Sequence, residues 1–154
     1  MMLVDGYNVI HAWHLDTHDL NAARDLLIHT LDDYAGYSGE DITIVFDGYN
    51  TRAPMSEELH GRITVVYTAY GVTADTHIQR AVSSVSRQMR VVTADYMEQL
   101  SVAAAGAIRI TPSELRLMIA DARRRHIAHI DRSSLTGRDL KAKLMRDAIG
   151  DDRQ

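Results

Sequence analysis

Short β-branched or aromatic runs alternate along this chain with segments whose apolar residues recur every three or four positions. No other feature narrows the accessible folds as much. The runs are Met2–Asp5, Ile42–Phe46, Ile63–Tyr67, Arg90–Thr93 and Ile108–Ile110. Between them, Leu20, Ala23, Leu27, Leu31 and Tyr34 have helical spacing over 20–37, and Ile78, Val82 and Val85 have it over 74–88. Residues 96–105 form a shorter helix ending at Gly106. Ser38-Gly39 stops the first helix, and Thr73 caps the second. Thr111-Pro112-Ser113-Glu114 is a capping box with proline at the first helical position, opening a helix to about Ala128. Thr136 and Asp139 then mark a cap before a final helix over 137–149. Residues 48–61 are polar and read as a loop, long enough to be functional. The alternation predicts an α/β fold with a mainly parallel sheet of four to five strands flanked by helices. No repeat, low-complexity tract or linker divides the 154 residues. One domain over 1–154 is expected, with a C-terminal helical extension at about 130–150.

Four aspartates stand at the ends of strand runs or at the start of the helix that follows one: Asp5, Asp47, Asp75 and Asp95. In a parallel sheet the strand carboxyl ends gather on one edge, so these carboxylates should converge. Converging carboxylates repel unless a hard cation lies among them. The expected cation is Mg²⁺ or Mn²⁺, which prefer oxygen ligands. Such an ion activates water and offsets charge on a phosphodiester. Asn8, three residues after Asp5, can orient a carboxylate or a water. Gln79 lies four residues after Asp75 and shares its helix face. Each aspartate taken alone also suits a helix cap or a turn. Asp32-Asp33 and Asp151-Asp152 have no such placement and read as solvated.

Other phosphate chemistries lack their residues. There is no G-x-x-x-x-G-K-[ST] loop and no G-x-G-x-x-G after the first strand. Receiver domains and haloacid-dehalogenase-type phosphatases need a lysine at the site, and the first lysine here is Lys141. Absent cysteines exclude disulfides and thiolate zinc sites. No apolar run is long enough for a membrane span, and the cytoplasm is the expected compartment.

The opening Val4-Asp5-Gly6-Tyr7-Asn8-Val9-Ile10 resembles the signature of NYN domains, which are PIN-like nucleases. Ala23-Arg24-Asp25, Val45-Phe46-Asp47, Tyr67-Thr68, Thr73-Ala74-Asp75 and Thr93-Ala94-Asp95-Tyr96-Met97-Glu98-Gln99 follow in order. Together, from residue 3 to about 115, they resemble the YacP-like NYN family, whose members include a ribosome-associated mRNA endonuclease. The resemblance implies a Rossmann-like PIN fold and a metal-dependent endoribonuclease acting on RNA, with mRNA and the ribosome as expected partners. It implies metal-site carboxylates at Asp5, Asp75 and Asp95, with Asn8 and Asp47 beside them; Gln79 and Gln99 are expected to support the site. Arg24 would contact phosphate or partner an acid. Family members often carry a glutamate where this chain has Gln79, which removes one charge from the site. The segment Gly48-Tyr49-Asn50 also differs from the usual pattern.

The chain has a net charge of −4, unevenly spread. Residues 111–154 hold 10 Lys+Arg and 7 Asp+Glu, whereas residues 1–110 hold 7 and 14. Arg123, Arg124 and Arg125, with Arg132, Arg138, Lys141, Lys143 and Arg146, can track an RNA backbone or form a solvated helix end. Arg52 and Arg62 are further candidates for substrate contact. Tyr49, Tyr70 and Tyr96 lie near strand ends, where tyrosines stack on bases or pack half-buried. His11, His14 and His18 have zinc-compatible spacing, but without a helix pattern or cysteine they read as surface or turn residues, as do His126 and His129. Met97, Met118 and Met145 read as core fillers. Trp13 anchors the loop after the first strand or marks a contact surface. Gln79 and the basic C-terminal part also permit a second reading, an RNA- or ribosome-binding module with little hydrolysis.

Overall fold

The computed structural model describes residues 1–15, 18–48, 52–85 and 88–149. In chain order its elements are β1 (Met2–Asp5), α1 (Gly6–Ala12), α2 (Leu20–Ser38), β2 (Ile42–Phe46), β3 (Ser56–His60), β4 (Ile63–Tyr67), α3 (Ala74–Ser84), β5 (Arg90–Val92), α4 (Tyr96–Ala104), β6 (Ile108–Ile110) and α5 (Pro112–Ile149). The six strands form one sheet in the order β3-β4-β2-β1-β5-β6. Neighbours pair in parallel except β3 with β4, which are antiparallel.

Strands covered on both faces read as apolar runs, and their side chains alternate between faces. Met2, Val4, Ile42, Ile44 and Phe46 join Leu27, Leu31 and Leu115 under α1, α2 and α5. Leu3, Val45, Val66 and Val91 join Ile78, Val82 and Val102 under α3 and α4. Each large fully buried side chain, such as Leu27 or Ile78, contributes about 1.5–3 kcal/mol. From β1 the chain winds outward through β2 and β4, then returns to lay β5 on the other side of β1. The carboxyl edge beside β1 is therefore a switch point, where open α/β sheets bind ligands.

The structure departs from the sequence reading in several places. Among the described residues the strand count is six, because the segment after β2 contains β3. Its sequence, Ser-Glu-Glu-Leu-His, is almost wholly exposed and has no buried face. Pairing with β4 makes it a strand, and its charges suit a sheet edge. The turn after β1 is helix α1, too short and too glycine-led for periodicity to show. α3 ends at Ser84. The expected break after Ala128 is absent: α5 runs unbroken for 38 residues, and Thr136 Oγ1 bonds back to Arg132 O at 3.0 Å instead of capping a new helix. Asp32 is engaged, accepting Arg62 N–H at 2.7 Å. It clamps the β3–β4 turn, where Gly61 has φ 58° and a Cβ would lie 2.4 Å from Asp32 Oδ1.

Other expectations hold. Thr111 and Glu114 exchange the capping-box bonds at 2.7 and 3.1 Å. Trp13 anchors α1 to α5 through Nε1 to Pro112 O at 2.9 Å, with Arg116 over its ring at 5.1 Å. Met118 packs against the core, but Met97 and Met145 are exposed and fill nothing. Among the described residues no helix is long and apolar enough to cross a membrane.

Candidate active site

Asp5 ends β1 and caps α1, accepting Asn8 N–H at 3.2 Å. Burial pushes its carboxyl up to about 6; the Asn8 N–H opposes this, and Asp75, Asp47 and Asp95 add to it. The other three sequence-predicted aspartates are thus each within electrostatic reach of Asp5. Asp5, Asp47 and Asp75 line one cavity of 290 Å³ with Tyr7, Asn8, His11, Thr73 and Ala74. Asp47 follows β2 directly, and its Oδ1 is buried without a hydrogen-bond partner. Asp75 sits in the first turn of α3, where Gln79 Nε2 donates to its Oδ1 at 2.9 Å. Asp95 is exposed and caps α4, accepting from Met97 N and Glu98 N at 2.8 and 3.2 Å.

A fifth carboxylate belongs here that sequence reasoning missed. Glu98 is 3% exposed. Burial pushes it up to about 7; the Thr93 hydroxyl opposes this, and Asp5, Asp75 and Asp95 raise it further. Thr93 Oγ1 donates to Glu98 Oε2 at 2.5 Å, while Oε1 is buried without a partner. Glu98 occupies the position from which a capping-box glutamate reaches back to the cap N–H. Here Thr93 Oγ1 takes the Asp95 N–H at 3.1 Å, and the Glu98 carboxyl turns inward. The available signal was an acid three residues after Asp95, inside the matched motif.

The supporting residues have distinct places. The Asn8 side-chain oxygen accepts from Ala94 N–H and ties the β5–α4 turn to α1. Gln99 is buried and donates to Thr93 O at 2.7 Å, bracing the end of β5. Arg24 bonds Tyr7 Oη at 2.7 Å and the Asn21 side chain. Among the described residues it has no carboxylate partner, so its predicted pairing with an acid is not seen. Arg52 is exposed on the approach to β3, on the acidic side of the sheet.

Arg62 and the arginines of α5 stand apart from the site. Arg62 lies in the β3–β4 turn, at the amino edge, with its side chain beside Gly36 of α2. Arg123, Arg124 and Arg125 lie about 15–20 Å down α5 from its start. Arg124 and Arg125 pair with Asp121 at 3.5 and 2.7 Å, and Arg125 and His126 share a cavity with Tyr34 and Tyr37 at the far end of α2. Tyr70 and Tyr96 are 59% and 65% exposed rather than half-buried, and Tyr49, Asp151 and Asp152 lie outside the described residues. Of the histidines, His11 alone lines the acidic cavity.

Among the described residues no three His, Asp or Glu side chains stand close enough together to make a ready ion cage. The donor set nevertheless fits a hard divalent cation. It is all oxygen, it repels itself, and two of its buried oxygens lack partners.

The family follows from comparison with known proteins. A YacP-like NYN domain is matched over residues 2–151. The chain belongs to the YacP-like NYN family. YacP of Bacillus subtilis (strain 168) is 34% identical over 122 residues, which span 75% of this chain and 72% of that one. The crystal structure of Rae1 (YacP) from Bacillus subtilis superposes with a TM-score of 0.70 at 29% identity, covering 97% of this chain and 90% of that chain. A tryptophan-to-leucine mutant of the same protein gives 0.68 at 31% identity, covering 86% and 82%. The family carries the PIN-like nuclease fold, and the mostly parallel sheet described above is that fold.

Proposed function

We propose that the chain is a metal-dependent endoribonuclease that hydrolyses RNA phosphodiesters in the cytoplasm, with mRNA on the ribosome as its substrate. One observation carries this reading: the half-buried Asp5 carboxyl at the switch point is raised to about 6 amid three further aspartates. Asp5, Asp75 and Asp95, with Asp47 beside them, would hold Mg²⁺ or Mn²⁺. Such an ion supplies a Lewis acid that activates water and offsets phosphodiester charge. The chain's own residues do the positioning. The Asn8 N–H fixes Asp5, its side chain holds the Asp95 turn in place, and Gln79 orients Asp75. Glu98, whose carboxyl is pushed up to about 7, would be a proton reservoir within electrostatic reach of Asp5, Asp75 and Asp95. The test is cleavage of naked RNA and of translated mRNA by the purified chain with Mn²⁺. Cleavage should vanish in EDTA and in Asp5→Asn; undiminished cutting in either refutes the reading.

A second reading, an RNA- or ribosome-binding module with little hydrolysis, is favoured by Gln79. Its amide occupies an Asp75 oxygen that a cation would use. Ribosome co-sedimentation that survives Asp75→Asn, with no metal-dependent cleavage on either substrate, would select it.

A further inference from the structure

A second cavity, of 560 Å³, adjoins the acidic one and shares Tyr7 and Asp47 with it. Its volume is in the range that takes a nucleotide-sized ligand. Three rings form a ladder along one wall. Tyr7 lies 5.0 Å from Phe46, and Phe46 lies 5.6 Å from Tyr67. Phe46 is fully buried, whereas Tyr7 and Tyr67 are half-buried and line the cavity. The ladder is rigid at its base: a Cβ on Gly6 would meet the Phe46 ring at 2.3 Å, so the start of α1 lies directly on that ring and fixes Tyr7. Leu20, Ala53 and Pro54 complete an apolar lining.

Asp47, Ser56 and Thr68 also line the cavity, and its cation is Arg24. It holds the Tyr7 hydroxyl at 2.7 Å and touches Asn21, with no carboxylate partner among the described residues. A guanidinium has five N–H donors, so donors remain for an anion. A slot with two tyrosine rings and an arginine that keeps free donors among the described residues, opening onto a carboxylate cluster, matches one ligand chemistry. It suits an unstacked base whose own backbone phosphate lies within reach of the arginine. A base inside such a cavity cannot at the same time be paired, which sets single strands against duplexes.

We propose that this cavity is a subsite for one unpaired nucleotide of single-stranded RNA next to the bond that is cut. The base stacks on Tyr67 and Tyr7, and the phosphate lies on Arg24. The proposal rests on the nuclease reading for its position along the strand, but its test does not depend on cleavage. Binding of a short labelled oligoribonucleotide to the full chain is followed by anisotropy in EDTA. Tyr67→Leu should weaken binding roughly 5- to 100-fold, while Tyr67→Phe keeps the ring and the affinity. Arg24→Gln should lower the slope of log K against log salt by about 0.7. An abasic residue at one position should cost the wild-type chain the same factor and cost Tyr67→Leu nothing further. The proposal is overturned if Tyr67→Leu binds like wild type, if no abasic position stands out on the wild-type chain, or if a duplex of the same sequence binds as well. The abasic and duplex arms use the unaltered chain, so they decide the matter even if Tyr67→Leu fails to fold. Position-specific binding without metal-dependent cleavage would sink the nuclease reading and leave the subsite standing. Cleavage without position-specific binding would do the reverse.

Discussion

The two edges of the sheet use acids in opposite ways. At the amino edge, Glu40 takes Arg90 and the N-terminal amine, the latter at 3.4 Å, and Asp32 takes the Arg62 N–H. Each of these acids has a cation or a donor. At the carboxyl edge, Asp47, Asp75 and Asp95 push Asp5 up, Asp5, Asp75 and Asp95 push Glu98 up, and two buried oxygens are left without partners among the described residues. An arrangement that served only stability would not hold like charges together in low dielectric. The amino edge is an answered set of charges, whereas the carboxyl edge is poised for a cation from outside.

That contrast can be broken most forcefully at its centre. Asp5→Asn should cut metal-dependent RNA cleavage by more than about 100-fold, yet leave the metal-free fold at least as stable near pH 8. A loss of activity with a matching loss of thermal midpoint would make Asp5 a structural residue like Glu40.

The next effect is on stability against pH. Asp5 and Glu98 have folded values raised to about 6 and about 7 from 3.8 and 4.5. The folded chain therefore keeps protons that the unfolded chain has already released. Stability is highest on the acid side and falls as pH rises from the ordinary carboxylate range to about 7. Glu98 alone contributes up to about 3 kcal/mol of this loss. Urea unfolding in EDTA near pH 5 and pH 8 should show the fall, and Glu98→Gln should flatten it. An unchanged pH profile in that variant would place Glu98 outside the cluster.

Smaller effects sharpen the comparison. Gln79→Glu adds a charge beside Asp75 and should raise Mn²⁺ affinity roughly tenfold while lowering metal-free stability. Calorimetric titration beside a thermal melt reads both, and parallel changes of the two would refute it. At the amino edge, Glu40→Gln should cost no more than about 1 kcal/mol, with no effect on cleavage or Mn²⁺ binding. A cleavage defect in that variant would erase the distinction between the edges.

Much of this was legible before any coordinates. The ends of apolar runs announce where a parallel sheet gathers its carboxylates, so Asp5, Asp47, Asp75 and Asp95 could be grouped from spacing alone. Glu98 could not, because an acid three residues into a helix looks like a local cap, and only the Thr93 hydroxyl's capture of the Asp95 N–H turns it inward. α1 was hidden by its length, and β3 by its polar sequence, since β4 rather than a buried face makes it a strand. Arg123, Arg124 and Arg125 invited an RNA-contact reading that composition supports, but the direction of α5 carries them away from the acidic edge. The wall formed by Tyr7 and Tyr67 was equally invisible. These two residues lie 60 positions apart, and only the placement of Phe46 between them joins their rings.

The most direct test of the acidic edge is Mn²⁺ uptake followed by the electron paramagnetic resonance signal of the free ion near pH 8, in wild type, Asp5→Asn and Glu40→Gln. The account predicts that wild type and Glu40→Gln bind Mn²⁺ alike and that Asp5→Asn binds at least about tenfold more weakly. Equal uptake by all three, or no uptake by the wild-type chain, would contradict it.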